Sequence, residues 1–140
     1  MALKKQEFYE GAALHLLVRS GRLVGLRYED PFFVVNGRVA CYLKYCTRNR
    51  SPWAFTFTPA EQAMLDASPT DPPIVLGLVC GADGVAAVSY QAYRDIAVPS
   101  KVSIRVACHR QHREHYGVSG PDGCLSEKIA PADWLGILGC

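Results

Sequence analysis

Apolar residues in this chain fall into short runs separated by glycine, proline and aspartate, the punctuation of many small elements. Residues 3–20 predict a helix that stops at Gly21, a residue suited to the position just past a helix. Leu3, Leu14 and Leu17 share one stripe at helical spacing, and Glu7 and Glu10 fall on the same stripe. Carboxylates there need partners, because an unpaired charge against a core is costly. Residues 23–28 predict a strand. Residues 32–35 and 38–47 predict a hairpin around Asn36-Gly37, a dipeptide that favours two-residue turns. Residues 53–58 alternate large aromatics with small or polar residues, the period of a half-buried strand. Thr58-Pro59-Ala60-Glu61 is a capping box with proline at the first helical position, so a helix should run to about Ala67.

The second half continues with strands at 74–80 and 85–88 around the turn Gly81 to Gly84. Ser89 can cap a short helix through Ile96. Strands are expected at 102–107, near 115–118 and at 124–129, followed by a short terminal helix from Pro131 carrying Trp134, Leu135 and Leu138. This order predicts an α+β class: a central, mostly antiparallel or mixed sheet, with the N-terminal helix packed on a β-hairpin. The 140 residues are read as a single domain, large enough for a real core.

Composition narrows the classes. Apolar residues make up 49% and charged residues 20%, the balance of a globular chain. A formal net charge of +2 gives no global argument for nucleic-acid binding. Local basic groups remain: Lys44, Arg48 and Arg50 form one, and Lys101, Arg105, Arg110 and Arg113 another. The first residues lack the apolar stretch of a signal peptide, and the longest apolar run, near 74–80, is too short to span a bilayer. A cytoplasmic location without membrane contact is therefore expected. In that compartment the six cysteines (41, 46, 80, 108, 124 and 140) are expected as free thiols.

Lys44 stands out as an ammonium inside the apolar stretch Cys41-Tyr42-Leu43-Lys44-Tyr45-Cys46, so it must snorkel or find a partner. Counting outward from a two-residue turn at Asn36-Gly37 puts Val35 opposite Arg38, Glu29 opposite Lys44, and Asp30 opposite Leu43 on the other face. A bulge near Pro31 would exchange Glu29 and Asp30. The plain reading is a cross-strand ion pair, with Glu7 and Glu10 on an exposed helix edge. The sharper one lets Glu7 or Glu10 join from the helix, so that carboxylates and a lysine converge. Such carboxylates can hold Mg²⁺ through oxygen, and the metal can activate water against a phosphodiester.

The order of helix glutamate, hairpin acid and X-x-Lys resembles the PD-(D/E)XK nuclease superfamily, the restriction-endonuclease-like fold, over roughly Glu7 to Thr47. The resemblance implies a nuclease-like core with Lys44, Glu10 (or Glu7) and Glu29 as catalytic residues. It implies Glu10, Glu29 and Asp30 as ligands of Mg²⁺ or Mn²⁺, and DNA or RNA as substrate. Tyr42 stands where that family places an acid two residues before the lysine. A nuclease-derived subunit that binds nucleic acid or protein without cleavage is the companion expectation, and a homodimer or a protein partner suits so short a chain.

Cys108-His109-Arg110-Gln111-His112-Arg113-Glu114-His115 is the other dense constellation. Its cysteine and histidines are zinc-type ligands, but their spacing fits no common zinc motif. As a hairpin tip, its arginines would instead face phosphate; a solvated loop is the plain reading. Arg48, Arg50, Arg110 and Arg113 are accordingly the candidate nucleic-acid contacts. Cys80-Gly81-Ala82-Asp83-Gly84 lacks the Lys-Ser/Thr ending of a phosphate-binding loop and reads as a tight turn.

Overall fold

A computed structural model describes residues 2–139. The elements run α1 (Lys5–Arg19), β1 (Leu26–Glu29), β2 (Phe32–Val35), β3 (Val39–Cys46), β4 (Trp53–Phe57), α2 (Pro59–Ala67), β5 (Ile74–Cys80), β6 (Gly84–Ser89), α3 (Tyr90–Ile96), β7 (Ile104–His109), β8 (Gly117–Gly120), β9 (Gly123–Cys124) and α4 (Asp133–Gly136). The class is α+β, as expected, but the strands divide into two sheets rather than one. A mixed five-stranded sheet has the order β1-β2-β3-β5-β6, and an antiparallel four-stranded sheet has the order β4-β7-β8-β9. The parallel pair β3–β5 is joined by a crossover through β4 and α2, since parallel neighbours cannot be linked by a tight turn.

The five-stranded sheet is buried on both faces in its centre, and the alternation along β3 and β5 sorts residues between two cores. Leu76, Leu78 and Cys80 face the second sheet, where Trp53, Phe55, Phe57 and Val106 meet them. Cys41, Leu43 and Val79 face the other way, onto Ala13 and Leu17 of α1 and Trp134 of α4. Trp134 Nε1 donates to the Ala13 carbonyl at 2.9 Å and so ties the two helices together. Gly77 makes room for this arrangement: a Cβ there would lie 2.6 Å from Leu43 Cδ2 and 3.0 Å from the Trp134 ring.

Local signals place several elements where the sequence puts them. α1 ends before Gly21, whose φ is +78°. Thr58 and Glu61 form the full reciprocal capping box of α2, and the Ser89 hydroxyl accepts from Ala92 N at the start of α3. Other boundaries move. Leu3 precedes α1 and is 64% exposed, so the stripe packs through Ala13 and Leu17, with Leu14 partly buried beside them. The last predicted strand shrinks to β9 plus an isolated bridge between Tyr116 and Ile129. The cysteines 41, 46, 80, 108 and 124 are free thiols; Cys140 lies outside the described residues.

The hairpin register is the main correction. Arg38 N still donates to the Val35 carbonyl at 2.9 Å, and Asn36 and Gly37 carry φ of 53° and 64°, the backbone that a twisted two-residue turn needs. The ladder then resumes one residue late, with Val35 opposite Val39 and Phe33 opposite Cys41. Arg38 is the extra residue. The Asn36 side chain anchors the turn: its Oδ1 accepts from Val24 N and Gly25 N, and its Nδ2 donates to the carbonyls of Arg22 and Leu138. A second reversal at Asp30-Pro31 folds β1 back outside β2, so that Glu29 pairs in register with Phe32. The strand across from Lys44 is β5, where its register partner is Leu78. The Glu29–Lys44 pairing predicted by counting is therefore not formed, and neither is the Asp30 alternative.

Candidate functional site

Lys44 belongs to the face of β3 that looks toward the second sheet, and it finds its acid in α2. Its Nζ donates to Glu61 Oε2 at 2.7 Å. The Tyr42 hydroxyl, two residues earlier on the same face, donates to the same oxygen. The other carboxylate oxygen, Oε1, accepts from Thr58 N at 3.1 Å and Thr58 Oγ1 at 3.3 Å. The Lys44 ammonium also lies 5.0 Å from the centroid of the Phe57 ring, a cation–π distance. Both charged side chains are about four-fifths covered, at 19% and 21% exposure.

Two opposing effects act on Glu61. Burial works to raise its carboxyl, but hydrogen bonds from Lys44, Tyr42 and the Thr58 backbone together outweigh it, and the group ends below its ordinary value. Tyr42 moves up, first through burial and then through its bond to the Glu61 carboxylate, with Glu10 adding to the field. The cluster is thus an ionised carboxylate held between an ammonium, a neutral phenol and a helix N-terminus.

The other predicted catalytic and metal residues lie apart from it. Glu10 is half-buried on α1, which packs on the opposite face of the five-stranded sheet, and its carboxylate accepts from Gln6 Nε2 at 2.6 Å. Glu29 sits exposed on β1, in an ion pair with Arg27 at 2.9 Å. Asp30 is exposed and accepts from the Tyr28 hydroxyl at 2.9 Å. That bond is the main reason the Tyr28 phenol is raised. Among the described residues, no group of three or more His, Cys, Asp or Glu side chains gathers as a metal site.

The loops that carry the predicted nucleic-acid contacts pack against one another. Three connections meet at one end of the molecule: residues 47–52 after β3, residues 81–83 after β5, and residues 110–116 after β7. Arg110 N donates to Ser51 Oγ at 3.0 Å, and Trp53 Nε1 to the Arg48 carbonyl at 3.0 Å. Gly81 N donates to the Cys46 carbonyl at 2.8 Å. Arg110 is a clamp inside this end: it donates to Asp83 Oδ2 at 2.8 Å and to the Glu114 carbonyl at 2.7 Å, over the Tyr116 ring. Tyr116 OH reaches the same Asp83 oxygen at 2.7 Å. Arg48, Arg50 and Arg113 are exposed, as are His109, His112 and His115, whereas Cys108 is buried in the core. The cysteine and histidines of the dense run therefore do not face a common point.

Sequence reasoning recognised Glu61 only as a helix cap, and missed Asp83 and Ser51. Glu61 was within reach: a capping box fixes the glutamate at a helix N-terminus, and α2 follows β3 closely enough to cover it. No family model, curated protein or solved structure matches the chain. Among the described residues no helix is long and apolar enough to cross a membrane.

Proposed function

We propose that the protein binds nucleic acid through the basic loops at one end of the two sheets, on a nuclease-like frame whose lysine serves structure rather than cleavage. The observation that carries this reading is the packing of the 47–52 loop against the 110–116 loop. Those two loops carry Arg48, Arg50 and Arg113, all of them exposed. Exposed guanidiniums suit phosphate oxygens, which accept their forked donors. Arg110 holds the loops in place through Asp83 and is committed to that task. The likeness to PD-(D/E)XK nucleases, with their restriction-endonuclease-like core, rests on the helix, the hairpin and the Lys44 strand. Cleavage by that chemistry would need Mg²⁺ or Mn²⁺ beside Lys44. The carboxylate there is Glu61, whose oxygens already accept from Lys44, Tyr42 and Thr58.

The test is fluorescence anisotropy with labelled single- and double-stranded DNA and RNA over a salt series, with and without Mg²⁺ or Mn²⁺. Three neutralised phosphates at about −0.9 each give an expected log–log salt slope of about −2.7 on duplex DNA. The combined Arg48→Ala, Arg50→Ala, Arg113→Ala variant should lose this binding, and Lys44→Met should keep it. An absence of binding at low salt, or binding indifferent to the three arginines, overturns the reading. Metal-dependent cleavage lost in both Lys44→Met and Glu61→Gln would replace it with an active nuclease centred on that pair.

A further inference from the structure

The outer strand of the five-stranded sheet is unusual in its surface. All of β1 is exposed, and apolar side chains stand on it or beside it: Val24 at 91%, Tyr28 at 60% and Leu26 at 37% exposure. The strand lies at the end of the sheet order, so among the described residues one side of its backbone has no strand beside it. Which groups point outward follows from the ladder. Asn36 N donates to the Gly25 carbonyl, in register with Leu26↔Val35 and Arg27↔Val34. Hydrogen-bonded and non-hydrogen-bonded pairs alternate along an antiparallel ladder. Arg27 and Glu29 therefore spend their backbone groups on β2, while Leu26 and Tyr28 turn theirs to the open side.

We propose that a second copy of this chain pairs along this edge, antiparallel, with a two-fold axis at Tyr28. The backbone allows that register: Tyr28 meets Tyr28 of the second copy as a hydrogen-bonded pair, each N–H facing the other's carbonyl. Among the registers the backbone allows, it is the one the charges select. Arg27 of each copy falls opposite Glu29 of the other, in the closer, non-hydrogen-bonded spacing where cross-strand side chains interact most strongly. Within one chain these two residues already pair at 2.9 Å on the same side of the strand; across the axis each charge gains a second opposite neighbour. On the other side, Tyr28, whose register partner Phe33 packs against the core under α1, meets its counterpart, while Leu26 falls opposite Asp30 of the second copy at the end of the paired stretch. A strand edge with an acid and a base at i and i+2 about an aromatic centre is complementary to itself, as an isologous interface requires. The proposal is independent of nucleic-acid binding, because the basic loops lie outside β1.

Sedimentation velocity over a concentration series, on the full chain, tests it. The native chain is expected to dimerise. Tyr28→Pro removes the outward N–H at a position whose N–H the β1–β2 ladder does not use, so circular dichroism should be unchanged while the dimer is lost. Arg27→Glu places like charges opposite each other twice and should weaken the dimer by about tenfold or more. Arg27→Glu with Glu29→Arg should restore it. A native chain that stays monomeric throughout overturns the proposal. So does a dimer that ignores the Arg27 and Glu29 exchanges, or one that ignores a folded Tyr28→Pro.

Discussion

Glu61 carries more of its neighbourhood than the lysine that draws attention to it. Its two oxygens accept from Lys44, Tyr42, Thr58 N and Thr58 Oγ1, whereas the Lys44 ammonium also has the Phe57 face. Removing the acceptor strands several donors; removing the ammonium strands one lone pair that Tyr42 still occupies. Glu61→Ala is therefore expected to cost about 2–3 kcal/mol in urea denaturation. Lys44→Met, which keeps the stem, is expected to cost about 1 kcal/mol or less. The same imbalance fixes the direction of pH dependence. Glu61 is lowered in the folded state, so its contribution is fully present above the ordinary glutamate value of 4.5 and is lost as pH falls through the lower folded value. Melting temperatures measured from neutral pH into the acid range should fall less steeply in Lys44→Met, because the strongest source of that lowering is gone. An unchanged acid limb in Lys44→Met would assign the acid sensitivity elsewhere.

At the scale of elements, glycine marks where two connections touch. Gly37 and Gly81 both have positive φ, at 64° and 54°, but they differ in surroundings. A Cβ at Gly37 would meet nothing within 4 Å, whereas one at Gly81 would lie 2.1 Å from the Arg48 carbonyl oxygen. Gly37→Ala should thus cost about 1 kcal/mol, the backbone term alone. Gly81→Ala should cost clearly more in the same chemical denaturation, because the 47–52 loop must also move. Equal costs would show that this loop yields freely. The contrast also explains what the sequence made legible. The capping box, the stop at Gly21, the Ser89 cap and the turn near Gly81 are readable because each is settled within a few residues. The partner of Lys44 depends on how many reversals precede it. The Asn36-Gly37 turn gains Arg38 as an extra residue, and Asp30-Pro31 adds a hairpin that sends Glu29 to the sheet edge. Either change alone breaks a count made along the chain. The division into two sheets is set by the crossover from β3 to β5, a long-range event with no local signature. At the basic end the sequence named Arg48, Arg50, Arg110 and Arg113 as one group. What it could not supply was the division of labour, with Arg110 bound to Asp83 and the others left to solvent.

For the whole molecule, the five-stranded sheet is the wall shared by two cores, and each core holds one of the chain's two tryptophans. Trp53 lies between the sheets, 2% exposed, and Trp134 lies under α1, 1% exposed. Neighbouring residues of β3 and β5 point alternately into one core and the other, so neither core can open without disordering the strands that line both. A packed sheet interior transmits such disorder rather than absorbing it. Unfolding should accordingly be a single cooperative event. Trp134→Phe leaves fluorescence reporting the inter-sheet core, and Trp53→Phe leaves it reporting the core beneath α1. Both variants lose an indole hydrogen bond, to the Ala13 carbonyl in one case and the Arg48 carbonyl in the other, so their midpoints will fall below the native value. The informative comparison is therefore internal to each variant: the fluorescence transition against its own far-ultraviolet circular dichroism. Coincident midpoints and slopes in both variants are expected. A Trp134 signal lost well before the circular dichroism in Trp53→Phe would mean that α1 and α4 peel away from a sheet pair that is stable without them, and the shared wall would then not couple the two cores.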